Sequence, residues 1–258
     1  MANTVFDNVV IGNKITDILT TKLDVNGYMT LDNTLAENAG MKKSVHVYKA
    51  EGNVEDLAMG AGNTGDITVS FEEEEYEAKT TQGRFQYYDE ESMKDPMVVE
   101  VGLEGLAKTM INDWTAKAIA EYEKATLTQT GPVTFESVVD AIAQLKTEDE
   151  QGLFLLVPVA DKAAIRKALK DDLKYSEDYV RTGYIGSIAG VPVIATNAIE
   201  TGKAYLATKD AVTAFIKKDT EVEQERDANK RNNIVYVRKV AIIALTDKTK
   251  VVKFTAAV

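Results

Sequence analysis

Polar and apolar positions alternate in two stretches of the first third of the chain. Val45-His46-Val47-Tyr48 runs out, and Ile67, Val69 and Phe71, each flanked by polar residues, come back, with Phe85-Gln86-Tyr87-Tyr88 extending the return. A period of two marks strands exposed on one face, so residues 45–91 read as a long hairpin. Between its strands lies Gly60-Ala61-Gly62-Asn63-Thr64-Gly65, a stretch in which positive φ is allowed and bulk is absent. Residues 1–44 mix short apolar turns with Asn, Thr and Gly and hold no period; they read as an extended arm with one short helix around residues 13–23.

The period then changes. Asp95-Pro96 is a helix-start signal, a capping aspartate before a proline. Leu103, Leu106, Met110, Trp114, Ala118 and Tyr122 follow at spacings of three and four, while Glu104, Lys108, Asp113, Lys117 and Glu121 point elsewhere. A helix over 96–124 would be about 43 Å long, long enough to back onto an extended sheet or a neighbouring subunit. After Gly131-Pro132 the composition becomes that of a compact α/β unit. Phe135, Val138, Val139, Ile142 and Leu145 mark a second amphipathic helix, residues 152–158 a buried strand, and residues 159–172 a further helix. A polar loop over 173–190 leads to a strand at 191–195. The stretch KAYLATKDAVTAFIKKD predicts a short strand and another helix, and strands at 234–245 and 251–255 close an α+β chain.

At 258 residues and 45 % apolar, the sequence can bury a real core. A formal charge of -11 argues against a surface that grips nucleic acid, which needs clustered Lys and Arg. No run of about 18 apolar residues offers a membrane span, and the first residues lack the basic start and apolar block of a signal peptide, so synthesis in the cytosol is expected. Without cysteine, disulfides, thiolate metal sites and thiol nucleophiles are excluded.

Candidate chemistry is sparse. The glycines at 60–65 fit G-x-G-x-x-G, but a dinucleotide fingerprint needs a buried strand before it and a helix after it. Here a polar segment precedes and an alternating strand follows, so the tip of a projecting hairpin is the better reading. The single histidine, His46, has no partner for a metal pair or a triad and reads as a solvent-facing strand residue. Glu72-Glu73-Glu74-Glu75 alternate between strand faces, so at most two converge. Calcium wants about six oxygens, and a solvated, self-repelling arm is the expectation. Glu148-Asp149-Glu150 and Asp171-Asp172 read as caps and solvated surface. Ser187 among glycines in GSIAG lacks the nucleophile-elbow spacing, with Ile185 and Ala189 where glycines would stand. No catalytic, cofactor-binding or metal-ligating residue is therefore assigned, and only carboxylate or lysine chemistry is left.

The order of parts, polar arm, glycine-tipped hairpin, long spine helix, α/β domain and closing strands, resembles the major capsid proteins of tailed bacteriophages, whose fold is shared by encapsulin shells. Locally, LFLLVPVADKAAIRKALKD is similar to the family's strand, Pro-containing turn and helix. Gly190, Pro192, Val193, Thr196 and Asn197 match its glycine, Pro-Val and strand end, and Asp227 and Arg238 its charged closing segment.

The resemblance implies a phage capsid fold with an N-terminal arm (1–44), an extended hairpin loop (45–91), a peripheral domain with the spine helix (92–132, joined by strands at about 236–258) and an axial domain (133–235). It implies no enzyme and no cofactor, but a structural protein whose copies form pentamers and hexamers in an icosahedral head around double-stranded DNA, made in the host bacterial cytoplasm and resident in the virion. An acidic lining suits a container filled by a DNA-pumping motor. A portal is implied as a partner, and no membrane.

A hairpin that cannot bury both faces on its own chain needs a neighbour, which places inter-subunit contacts at Leu57, Met59, Gly60, Gly62, Gly65 and Phe71. Some relatives begin with a removable scaffolding segment on the order of a hundred residues. Here Met1 leads almost directly into the arm, so a separate scaffolding protein, or none, is expected. Lys49 and Lys79 are available for the cross-linking some relatives perform, but nothing local identifies a partner asparagine or a catalytic carboxylate. Two alternatives remain: an encapsulin-type shell, and a carboxylate-dependent α/β enzyme with a substrate pocket.

Overall fold

A computed structural model describes residues 24–37, 40–147, 150–168 and 186–255; the helix expected at 13–23 and most of the 173–190 loop lie outside them. After a 3-10 turn at Asp24–Tyr28 come β1 (Thr30–Asp32) and the short α1 (Thr34–Glu37). Then follow β2 (Lys42–Glu51), β3 (Thr68–Glu77), β4 (Lys79–Tyr88), α2 (Asp89–Lys94) and α3 (Met97–Tyr122). The remainder is β5 (Leu127–Thr130), α4 (Phe135–Leu145), β6 (Leu153–Pro158), α5 (Lys162–Ala168), β7 (Ser187–Ile188), β8 (Val191–Thr196), β9 (Lys203–Thr208), β10 (Val212–Asp227), β11 (Asn232–Leu245) and β12 (Val251–Thr255).

These strands form three sheets: β1-β10-β11-β4, β5-β12-β9-β6-β8-β7, and the separate ribbon β2-β3. Helix α3 starts where expected, with the Asp95 carboxylate accepting from the Met97 N–H at 3.0 Å. All the expected stripe residues from Leu103 to Tyr122 are buried. Its first half, through Leu103, Leu106 and Met110, packs on Tyr87, Val235 and Val237 of the four-stranded sheet. The second half, through Trp114, Ala118, Ile119 and Tyr122, meets Phe154, Tyr205 and Val251 of the other sheet. One helix thus joins both layers. A third core gathers α4 and α5 against β6, β9 and β12 through Val138, Ala141, Ile165, Leu155, Leu206 and Phe254. In α4, Thr134 caps the helix by accepting from the Ser137 N–H at 3.2 Å, while Phe135 and Val139, expected inside, are exposed.

Three expectations are corrected. Residues 212–219 form the first half of β10 rather than a helix, because Val212, Thr213, Ala214 and Phe215 are all buried, whereas a helix would bury one stripe. The strand then pairs with β11 along almost its whole length. The charged stretch beyond it, placed by the sequence outside the strand at 234–245, continues β10 because Arg238 across the ladder ion-pairs with Glu221 at 2.9 Å and with Glu223. Phe85-Gln86-Tyr87-Tyr88 does not extend the hairpin's return: at Ala78 the chain leaves the ribbon, and β4 pairs with β11.

The sheets also cut across the expected segments. Strand β10, inside 133–235, belongs to the spine-helix sheet, and β12, inside 236–258, to the other. Part of the N-terminal arm is bound to its own chain: β1 lies parallel to β10, and Met29 and Leu35 are buried.

Candidate assembly surface

The ribbon β2–β3 leaves the body as a two-stranded arm, paired from Lys42 opposite Glu77 to Glu51 opposite Thr68. Its strands close tightly at the outer end, where a Cβ on Gly52 would sit 2.8 Å from the Ile67 Cα. The loop beyond is tied by one carboxylate: Glu55 accepts from the Thr64 N–H at 2.9 Å and from its hydroxyl at 2.6 Å. These bonds, the hydroxyl's first, hold the Glu55 carboxyl below its usual range. No helix follows the glycines, so there is no N-terminus to receive a pyrophosphate. Gly60 takes φ 84°, a left-handed turn that suits glycine.

Apolar side chains at the tip and on the outer part of β3 face solvent. Val54 is 92 % exposed, Met59 wholly so and Phe71 58 %, with Leu57, Ile67 and Val69 beside them. The Phe71 ring stacks on His46, centroids 5.3 Å apart. Of the positions expected at contacts, Leu57, Met59, Gly60 and Gly62 lie on the open tip, Gly65 is half-buried beside Glu55, and Phe71 stands on the shaft. Sequence reading overlooked a second exposed apolar group, Met93, Met97, Val98 and Val101, where α2 passes into α3; the step of four from Met97 to Val101 on α3 was the signal.

The four carboxylates expected to repel one another are instead partnered, because alternation sends them to two sets of partners. Glu73 lies 3.4 Å from His46 and Glu75 3.2 Å from Lys42, across the ribbon. Glu74 and Glu72 face Lys248 of the body, Glu72 at 3.7 Å. Bonds from Lys248 first, and then from Tyr76, hold the Glu74 carboxyl below its usual range.

Other chemistry-bearing groups serve the frame. Glu123, at the end of α3, accepts from the Tyr205 hydroxyl and lies 3.4 Å from Lys203 and 3.6 Å from Lys253. Burial would raise its pKa, but Tyr205 and the two lysines outweigh burial and lower it. Its oxygens are spent on binding helix to sheet. A cavity of about 310 Å³ beside Pro132, Ile165 and Phe254 contains Asp161, whose carboxylate is engaged by the Gly202 N–H at 2.7 Å. Ser187 lies on a tight β7–β8 hairpin whose two loop residues, Ala189 and Gly190, have φ 48° and 82°, a primed turn rather than a strand-to-helix elbow. Among the described residues no group of three or more His, Asp or Glu is placed to hold a metal, and no helix is long and apolar enough to cross a membrane. Lys79 is exposed at the start of β4, and Lys49 lies in β2 opposite Ser70.

A family model described as phage capsid protein matches residues 72–254, from the shaft of the arm to the last strand. The chain is 26 % identical over 242 residues to the major capsid protein of Staphylococcus phage phiMR11, covering 91 % of this chain and 87 % of that one. Two solved structures share the fold. The capsid of a native GTA particle has a TM-score of 0.73 at 12 % identity, covering 100 % of this chain and 93 % of its own. A virus-like particle from Pyrococcus furiosus has a TM-score of 0.62 at 12 % identity, covering 95 % and 97 %.

Proposed function

The chain belongs to the phage capsid protein family, and from that premise we propose that it is a major capsid protein whose copies lock together through the β2–β3 arm. The carrying observation is the arm itself, a two-stranded ribbon whose outer part sets Val69, Phe71, Leu57 and Met59 in water. A ribbon of two strands is marginal alone, and an apolar surface of this kind marks an interaction site. A neighbouring copy that covers it gains burial, and repetition of such head-to-tail contacts closes a shell.

The finer reading follows the same logic. Copies form pentamers and hexamers around double-stranded DNA, which a chain of net charge -11 encloses without gripping. Residues 1–44 and 45–91 serve as arm and extended loop, 92–132 with the closing strands as the peripheral domain, and 133–235 as the axial domain, with β10 lending its length to the peripheral sheet. Leu57, Met59, Gly60, Gly62, Gly65 and Phe71 lie at the contact. A scaffolding protein and a portal are the partners, synthesis is in the host cytoplasm, and no catalytic step is assigned. The phage relative supports a head over a nanocompartment, since the likeness to the virus-like particle is one of fold alone.

Deleting residues 51–66 tests the reading. Negative-stain microscopy and light scattering are expected to show shells, or rings of five and six, for the full chain, and neither shells nor stable rings for the deletant. Normal shells without the tip would overturn the arm's role.

A further inference from the structure

We propose that Lys248 is the residue that sets the direction of the arm, holding it to the body by charge and offering it two seats, Glu74 and Glu72. The proposal rests on the arm being the assembly element.

The arm meets the body at a narrow neck. There the Ala78 N–H donates to the Met41 carbonyl at 2.6 Å, the Lys43 ammonium lies 5.0 Å from the Phe215 ring centre, and Val45 and Tyr76 rest on a small cluster of Leu35, Phe215 and Val240. Farther out, the side chains of Thr68, Val69, Ser70 and Phe71 are exposed. The arm's angle is therefore fixed at the neck.

On the β3 side that neck is polar. Lys248 bonds Glu74 and stands 3.7 Å from Glu72. The Tyr76 hydroxyl donates to the other Glu74 oxygen at 2.7 Å. The Lys124 ammonium lies 5.2 Å from the Tyr76 ring centre and 2.7 Å from Glu121. Glu121 in turn accepts from the Leu245 N–H at 3.3 Å. This chain of contacts ties the arm to the end of α3 and to β11.

The anchor point is firm. Lys248 opens the 3-10 turn Lys248–Lys250, which carries the chain from β11 in one sheet to β12 in the other. Asp247 caps that turn by accepting from the Thr249 N–H at 2.9 Å. With only 24 % of its side chain exposed, Lys248 is shielded better than an ordinary surface lysine.

Glu72 and Glu74 lie two residues apart on one strand face, about 7 Å from each other. A packed apolar joint has one arrangement, whereas an ammonium on a flexible four-carbon stem reaches either carboxylate. Tilting the arm shifts Lys248 between its nearer partner, Glu74, and its more distant one, Glu72, 3.7 Å away in this structure, which lets one sequence serve positions of different curvature in a closed shell.

Hydrogen exchange on the unassembled full chain tests this, alongside microscopy of assembled particles. Lys248→Met is expected to speed amide exchange in residues 42–46 and 73–77 about fivefold, the weight of a partly shielded ion pair, while β9 and β12 keep their protection. Lys248→Arg should keep the neck protected. Glu72→Gln, which removes the more distant partner, should raise neck exchange less than loss of Glu74 does and alter the diameters of the particles formed. If Lys248→Met does not fold, Glu74→Gln, on an open strand, takes its place with the same expected exchange. Unchanged neck exchange in the Met or Gln variant, equal loss in the Arg variant, or unaltered particles from Glu72→Gln would each overturn the proposal. Because the neck is read before assembly, its result is independent of the tip deletion, which tests the assembly role alone.

Discussion

The ring of Phe85 on β4 occupies the place where a side chain on Gly102 of α3 would begin: a Cβ there would lie 2.1 Å from the ring's outermost carbon. The approach is reciprocal, since a Cβ on Gly83 of β4 would meet Leu106 of α3 at 2.4 Å. Two glycines thus let the spine helix sit directly on its sheet. Gly102→Ala would push Phe85 off its stack with Tyr87, 5.7 Å away, and is expected to cost about 1–3 kcal/mol by overpacking. Gly105, one turn along with nothing within 4 Å, is the control: Gly105→Ala should be neutral or add up to about 1 kcal/mol through helix propensity. Urea unfolding of the subunit separates the two.

Tyr122, wholly buried at the end of α3, donates its hydroxyl to the Tyr28 carbonyl at 2.6 Å. That bond ties the segment before β1 to the common core. Tyr122→Phe fills the same volume but strands a carbonyl, so a loss of about 1–2 kcal/mol is expected. Hydrogen exchange should show the effect concentrated in residues 24–32, with α4 and α5 unaffected.

The sequence carried most of this frame and misled at definite points. The spine helix was legible because its buried stripe from Leu103 to Tyr122 is unbroken and Asp95 marks its start, and β6 because all six residues, Leu153 to Pro158, are apolar and buried. Strand β10 was not, because Ala-Val-Thr-Ala-Phe-Ile followed by charges satisfies a helical spacing as well as a fully buried strand, and only pairing with β11 decides between them. The arm was legible from its alternation and glycines. Its neck was not, since nothing near Glu72 or Glu74 in sequence announces Lys248, which arrives from the far end of the chain.

Acid should weaken the fold through carboxylates held by cations. Asp89 on α2 bonds Arg226 at 2.8 Å and Asn233 at 2.6 Å, and these bonds lower its pKa, Arg226 foremost. Glu74 is lowered likewise by Lys248. A carboxyl whose folded pKa lies below its unfolded value binds fewer protons when folded, so its stabilisation is complete above the unfolded pKa, about 4. It is lost as pH falls through the folded value. Urea midpoints are therefore expected to hold from pH 7 to about 5 and to drop below about 4. Asp89→Asn should lower the midpoint at pH 7 and flatten that drop; an equally steep drop in the variant would assign it to other groups.

The outer face of the arm separates folding from assembly. Val69 and Phe71 are more than half exposed, and so is Ile67 between them and the tip. The double substitution Val69→Ser and Phe71→Ser therefore removes only the partial cover of two side chains and the Phe71–His46 stack in the free subunit, and its unfolding free energy should fall by no more than about 1–2 kcal/mol. A contact that covers both side chains in a neighbouring copy would lose about 1.5–3 kcal/mol for each. Repeated at every contact of a closed shell, that loss is expected to raise the concentration needed for assembly at least tenfold, roughly the weight of 1.4 kcal/mol. Light scattering against protein concentration reads the threshold directly. A variant that assembles at the parent's threshold would show that this face stays wet in the shell, and would shift the contact to the tip residues Leu57 and Met59.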